Sequence, residues 1–256
     1  MTMGHGGKSA AVILGAMVLL GAPASAISAD PDAPVSSPLG RLEKVVADSH
    51  FDPEEQEPWR YLLYRPDEGQ VPAPDGGYPL LLWLHGRSLR GDDLEQVRRY
   101  GPPSFLDERD DFPFLTVCPQ LPRGGWPPAR LDALLEELLE SYPIDPDRVL
   151  LSGVSLGAMG AWGFAADFPD RFAGLVPVCA HGPKHAAKLT DLPIWAFHGA
   201  LDDIVPIEPH RELAERIEEN GGDIRFTEIP EGDHGNIIAP IYSDPALYEW
   251  LLEKRR

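Results

Sequence analysis

Residues 153 to 157 read Gly-Val-Ser-Leu-Gly, directly after the apolar run Val149 to Ser152 and directly before a helical segment that runs to Ala166. A serine on such a strand-to-helix turn is held in a strained backbone conformation, and glycines flank it because a Cβ there would strike the neighbouring strand and helix. Its oxygen stands at the positive end of the helix dipole, which favours an anionic tetrahedral intermediate. The same five letters also fit an ordinary glycine-rich turn, so reading Ser155 as a nucleophile depends on its partners. A serine hydroxyl attacks poorly until a base removes its proton, and that base needs a carboxylate to orient it.

The eight histidines sort by their neighbours. His5 falls in the N-terminal leader, and His50 and His210 sit in polar surroundings. His181 and His185 are four apart with no nearby acid or cysteine to complete a ligand set, so no metal is expected. His85 and His198 each precede a glycine at the end of an apolar run and read as structural imidazoles bonded to loop backbone. His234 differs. It lies in Gly232-Asp233-His234-Gly235-Asn236, a polar loop just after Ile224 to Ile229, from which a base can reach across strand ends to Ser155. For the acid, the stretch His198 to Pro206 leaves a strand and carries Asp202 and Asp203. Adjacent side chains cannot both face one histidine, and the residues alone leave the choice open.

These residues must be positioned by a scaffold, and the rest of the chain supplies one. Short apolar runs without period-two polarity alternate with helix-length segments, the pattern of a mostly parallel sheet covered on both faces. Strands are predicted at Arg60 to Tyr64, Leu80 to Leu84, Phe114 to Cys118, Val149 to Ser152, Leu175 to Cys179, Ile194 to His198 and Ile224 to Ile229, with an edge strand at Val45 to Asp48. Helices are predicted at Leu131 to Ser141, Leu156 to Ala166, Pro209 to Glu219 and Ala246 to Lys254, with a shorter one at Asp92 to Tyr100. The class is therefore α/β, and residues 41–256 read as one domain without repeats.

Ser155, Asp202 and His234 occur in the order Ser, Asp, His, each after a predicted strand, and this resembles the α/β-hydrolase fold. More closely, Pro79 to Asp93, Ile144 to Gly160 and His198 to Pro206 resemble the phospholipase/carboxylesterase and dienelactone-hydrolase-like branch, including its exported peptidases of the prolyl-oligopeptidase type. The likeness runs from Trp59 to Lys254. It implies a central sheet of seven or eight strands and a Ser155, His234 and Asp202 triad, because the branch's His-Gly-x-x-Asp-x-x-Val-Pro pattern puts the acid four positions after His198. It implies an oxyanion hole built from the backbone N–H groups of Leu156 and Arg87. Ala158 stands where the branch often has a second glycine, and Arg87 replaces a smaller residue and places a cation at the mouth of the site. The resemblance also sets two strands between those ending in Cys118 and Cys179. At about 4.8 Å per strand the two would lie roughly 14 Å apart, beyond the ~7 Å a disulfide allows, so two free thiols are expected. A lid, where this fold has one, follows the strand ending near Cys179. The fourteen residues from Ala180 to Pro193 are too few for a cap domain, so an open site is expected. Trp126 either walls that cleft as a substrate-binding platform or packs under its own proline-rich loop.

Composition narrows the function. Against 41 Asp and Glu there are 22 Lys and Arg, a formal net charge of −19 that excludes phosphate-backbone binding as the main task. Lys8, the apolar run Ala10 to Ala22 and Ala24-Ser25-Ala26 have the form of a cleaved secretory signal over residues 1–26, followed by a proline-rich tether over 27–40. The apolar run is shorter than the ~20 residues a membrane span needs. The leading expectation is a secreted or periplasmic serine hydrolase acting on small-molecule or polymer-attached carboxylic esters, without cofactor. A serine peptidase is the alternative, and a catalytically silent binding module the second.

Overall fold

A computed structural model of the chain describes residues 42–47 and 58–256, so the leader over 1–26, the tether over 27–40 and His50 lie outside the described residues. Among the described residues eight strands are formed: β1 (Glu43–Val46), β2 (Arg60–Tyr64), β3 (Tyr78–Leu84), β4 (Leu115–Pro119), β5 (Ile144–Val154), β6 (Gly174–Val178), β7 (Ile194–Gly199) and β8 (Ile224–Ile229). They join one sheet in the order β1-β2-β4-β3-β5-β6-β7-β8. The β1–β2 and β2–β4 pairs are antiparallel, and every pair from β4–β3 to β7–β8 is parallel. Parallel neighbours need crossovers, which are supplied in part by α1 (Pro128–Ser141), α2 (Leu156–Asp167) and α3 (Glu208–Glu219), with α4 (Ile238–Ser243) and α5 (Pro245–Leu252) closing the chain. This is the α/β-hydrolase arrangement.

Side chains on β3 explain why the strand runs lack a polar face. Leu80, Leu82 and Leu84 join one core with Leu131, Leu134, Leu135 and Leu138 of α1, while Leu81 and Trp83 join a second core with Ile238 and Tyr242 of α4 and Leu251 of α5. Successive residues point to opposite faces, and both faces are covered, so each position must be apolar. Burying each leucine contributes about 1.5–3 kcal/mol.

Elements differ from expectation in three places. β5 begins at Ile144 instead of Val149, because Tyr78 pairs with Ile144 across a register shift and draws the Asp145 to Asp147 segment into the strand. The segment at Asp92 to Tyr100 forms a 3-10 helix over Leu94–Arg99, started by the Asp93 carboxylate accepting from the Glu95 N–H. α4 was not anticipated, since Pro240 interrupts its short helical pattern. Among the described residues no helix is long and apolar enough to cross a membrane. Both cysteines are free and buried, with β3 and β5 lying between β4, which carries Cys118, and β6, which Cys179 follows. Because β3 and β5 to β8 run parallel, the loops that leave them gather at one edge of the sheet.

Candidate active site

Ser155 sits at the junction of β5 and α2 with φ 55° and ψ −118°. A residue with a Cβ tolerates this left-handed φ only where its surroundings enforce it. Here the Ser155 N–H donates to the Val178 carbonyl at 2.8 Å, and its own carbonyl accepts from the Met159 N–H at 2.9 Å. The glycines permit the sharp turn. A Cβ on Gly157 would lie 1.9 Å from the Leu84 carbonyl oxygen, and one on Gly153 would lie 2.5 Å from the Gly157 backbone. The turn lifts Ser155 out of the sheet, leaving it half-buried.

His234 follows β8 in a turn that the Asp233 carboxylate holds, accepting from the N–H groups of Gly235 at 2.8 Å and Asn236 at 2.7 Å. Its Nε2 lies 2.9 Å from Ser155 Oγ and its Nδ1 lies 2.7 Å from Asp202 Oδ2. A carboxylate only accepts, so Nδ1 carries the proton and Nε2 offers a lone pair to the serine hydroxyl. Asp202 Oδ1 accepts from the N–H groups of Ile204 at 3.0 Å and Val205 at 2.8 Å. Burial would raise the pKa of this carboxyl, but the Val205, His234 and Ile204 hydrogen bonds outweigh it and hold the acid below its usual value. Asp203 is exposed. The two loops approach through paired glycines, since a Cβ on Gly199 would meet the Gly232 carbonyl oxygen at 2.3 Å. The structure therefore brings Ser155, His234 and Asp202 into one hydrogen-bonded line, with an imidazole nitrogen facing the serine hydroxyl.

The loop after β3 lies against the serine, for a Cβ on Gly86 would be 3.5 Å from Ser155 Cβ. Leu156 and Arg87 are the first residues of α2 and of the 3-10 turn Arg87–Leu89, and their N–H groups find no acceptor among the described residues. Tyr100 was not singled out from sequence, yet its hydroxyl accepts from the Gly86 N–H at 3.0 Å and holds this loop. His85 behaves as the structural imidazole expected: its Nε2 accepts from the Leu121 N–H at 3.0 Å, so its Nδ1 donates to the Gly86 carbonyl at 2.7 Å. Burial lowers its pKa to about 4, which keeps the ring neutral. The Arg87 side chain is exposed.

Three sequence expectations need correction. Trp126 does not wall the cleft: it is 6% exposed, stacks on Trp59 with ring centroids 5.7 Å apart, and donates from Nε1 to the His85 carbonyl at 3.1 Å. Its proline-rich loop folds it inward over Gly160, where a Cβ would lie 2.4 Å from Trp126 Cβ. His210 does not lie in polar surroundings but is fully buried beside the rings of Trp162, His198 and Phe226. Its helical spacing to Leu213, Ala214 and Ile217 was the available signal, because all four lie on the inner face of α3. His185 does have an acid beside it, with Asp167 Oδ1 3.1 Å from its Nε2.

Cys179 has φ 59°, and its Sγ lies 3.6 Å from the His234 carbonyl oxygen. With Asp202 and His234 it forms the one group of three metal-capable residues among the described residues, their donor atoms within 4.8 Å of one another. Burial pushes its thiol up to about 12. The segment between β6 and β7 contains a 3-10 turn at Lys184–Lys188 and packs on α2 and α3.

No family model matches the chain. It is 28% identical over 227 residues to NocK of Nocardia uniformis subsp. tsuyamanensis, which is named as an esterase, covering 75% of this chain and 64% of NocK. The crystal structure of a thermostable esterase matches with a TM-score of 0.74 and 29% identity over 85% of this chain and 64% of that one. The chain thus spans somewhat less than two thirds of each of these relatives. A Klebsiella pneumoniae structure named as a dienelactone hydrolase matches at 15% identity with a TM-score of 0.62, covering 83% of this chain and 98% of that one, a likeness of fold.

Proposed function

We propose that the chain, which has the α/β-hydrolase fold and is similar to proteins named as esterases, is a serine hydrolase that cleaves carboxylic esters. The observation that carries this reading is the line from Ser155 Oγ through His234 to Asp202, with contacts of 2.9 Å and 2.7 Å. His234 takes the Ser155 proton as Oγ attacks the ester carbonyl. The tetrahedral oxyanion lies against the N–H groups of Leu156 and Arg87, and Asp202 balances the imidazolium. His234 then gives the proton to the departing alcohol, leaving an acyl group on Ser155, and water repeats the sequence to release the acid. Relatives named as esterases support the ester over other acyl substrates. Ser155 and His234 are both partly exposed, which suits a small ester or the end of a polymer. The signal-like residues 1–26 support export to the periplasm or medium, which N-terminal sequencing from the native host tests: a mature chain starting near Ile27 is expected, and one starting at Met1 would refute it.

A fluorophosphonate probe should label Ser155, and a panel of p-nitrophenyl esters set beside peptide amides should show turnover of the esters. An adduct mapped to another residue, or amides cleaved in preference to esters, would overturn the proposal. The proposed steps use side chains and backbone N–H groups of the chain with one water, so EDTA should leave turnover unchanged.

A further inference from the structure

His198, at the end of β7, is fully buried and lies against the acid Asp202. Its Nε2 lies 2.9 Å from the Val205 carbonyl oxygen and 3.2 Å from Asp202 Oδ2. Its Nδ1 lies 2.9 Å from Nδ1 of His210, which is also fully buried. Carbonyl and carboxylate oxygens only accept, so Nε2 of His198 carries a proton. Burial holds the His198 ring below its ordinary pKa, which leaves it neutral and its Nδ1 bare. A bare nitrogen facing another ring nitrogen at this distance requires a donor, so His210 is protonated on Nδ1. Burial keeps His210 neutral too, and its Nε2 has no hydrogen-bond partner among the described residues. The opposite tautomer of His198 would turn a lone pair on two oxygen acceptors at once.

Val205 joins this pair to the acid. Its carbonyl accepts from His198 while its N–H donates to Asp202 Oδ1 at 2.8 Å, and Ile204 adds a second N–H at 3.0 Å. Oδ2 is thereby left facing His234 Nδ1 at 2.7 Å. We propose that His198, locked in its Nε2-protonated tautomer by Val205 and His210, is a positioning residue that holds the Asp202 carboxylate in register with His234. The proposal deepens the serine-hydrolase reading and rests on it. The titratable groups that face the two rings are Asp202 and His234 from the loops, Glu228 from β8 and His181 from the segment after β6. His198 reaches the reaction only through Asp202 and Val205.

The first test needs no turnover. Proton–nitrogen correlation spectra of the wild-type chain labelled at histidine, taken at neutral pH, should show His198 protonated on Nε2 and His210 on Nδ1. The reverse tautomer in either ring, or a doubly protonated ring, overturns the proposal. The second test is kinetic. His198→Phe keeps the ring's bulk without the donor and should lower kcat for p-nitrophenyl acetate about tenfold with KM changed less than roughly twofold. The acid limb of its pH profile should shift as well, because the Asp202 carboxylate that faces His234 loses its Nε2 donor. His198→Gln, whose amide N–H can reach the Val205 carbonyl, should recover activity to within about threefold of wild type. A folded His198→Phe enzyme with wild-type kcat and pH profile overturns the positioning role while Ser155 remains labelled by fluorophosphonate. A wild type that is not labelled at Ser155 overturns the hydrolase reading itself, and the role with it. If His198→Phe does not fold, the wild-type tautomers and His198→Gln decide.

Discussion

Replacing Asp202 by Asn tests the line of hydrogen bonds most directly. Asparagine keeps an oxygen for the Ile204 and Val205 N–H groups, but it sets an NH2 where Oδ2 faced His234 Nδ1 at 2.7 Å and His198 Nε2 at 3.2 Å. Both neighbours are donors. His234 can relieve the clash only by moving its proton to Nε2, and it then points an N–H at Ser155 Oγ and cannot accept the hydroxyl proton. The anion is lost as well. At 2.7 Å and an effective dielectric of about 20, a unit charge stabilises the imidazolium by roughly 6 kcal/mol. At about 1.4 kcal/mol per tenfold that is some four decades of rate. The tautomer change and the lost charge act on the same step and are not additive, so kcat should fall by roughly a thousandfold to ten-thousandfold. Asp202 is enclosed and touches no substrate, so KM should change less than about threefold. The assay compares Asp202→Asn, Asp203→Asn and wild type on one p-nitrophenyl ester at neutral to alkaline pH, with near-ultraviolet circular dichroism to establish folding. Asp203 is exposed, and its replacement should stay within about twofold of wild type. A folded Asp202→Asn enzyme that keeps more than roughly a tenth of wild-type kcat, or an inactive Asp203→Asn, would refute the reasoning.

The fold should weaken in acid. Burial lowers the His85 pKa to about 4 and depresses His198 and His210 below 6.5, so the unfolded chain takes up protons that the folded one refuses. Stability present above about pH 6.5 is lost as pH falls towards the folded values, with His85 alone costing on the order of 3 kcal/mol. Urea midpoints at about pH 7 and about pH 5 should therefore differ, and equal midpoints would count against neutral buried histidines. Gly157→Ala places a Cβ 1.9 Å from the Leu84 carbonyl oxygen and should cost at least about 3 kcal/mol in thermal melts, whereas Gly125→Ala, with no atom within 4 Å, should change stability by less than ~0.5 kcal/mol; a Gly157→Ala protein that melts like wild type would refute the close approach of this turn to β3. Both thiols should resist DTNB in the native protein and react on unfolding, since Cys118 and Cys179 are buried and burial raises both pKa values.

Much of the scaffold was legible because it is local. Apolar runs between turn residues become strands wherever both faces are covered, and the eight runs map onto the eight strands with ends shifted mostly by a few residues. The Gly153 to Gly157 turn could be read for the same reason: its glycines answer contacts made by the turn with β3 and with its own helix. Signals failed where a local pattern was broken or too short. Pro240 concealed α4, and the pairing of Tyr78 with Ile144 lengthened β5 from outside its own segment.

By itself the sequence determined the alternation of strands and helices, the serine turn, and a histidine and two aspartates on loops at strand ends. It could not determine which of Asp202 and Asp203 faces His234, because neighbours in the chain have the same local claim; the resemblance chose Asp202, and the three-dimensional structure buries that carboxylate and exposes the other. Nor could it show that Trp126 packs inward on Trp59, or that His210 meets His198 across the gap between α3 and β7. Helix faces and loop crossings bring together residues that local spacing does not relate. The distance from Ser155 to His234 spans 79 positions in sequence and 2.9 Å in space. Only the packing of β5, β6, β7 and β8 side by side, with their loops leaving from one edge, closes that gap.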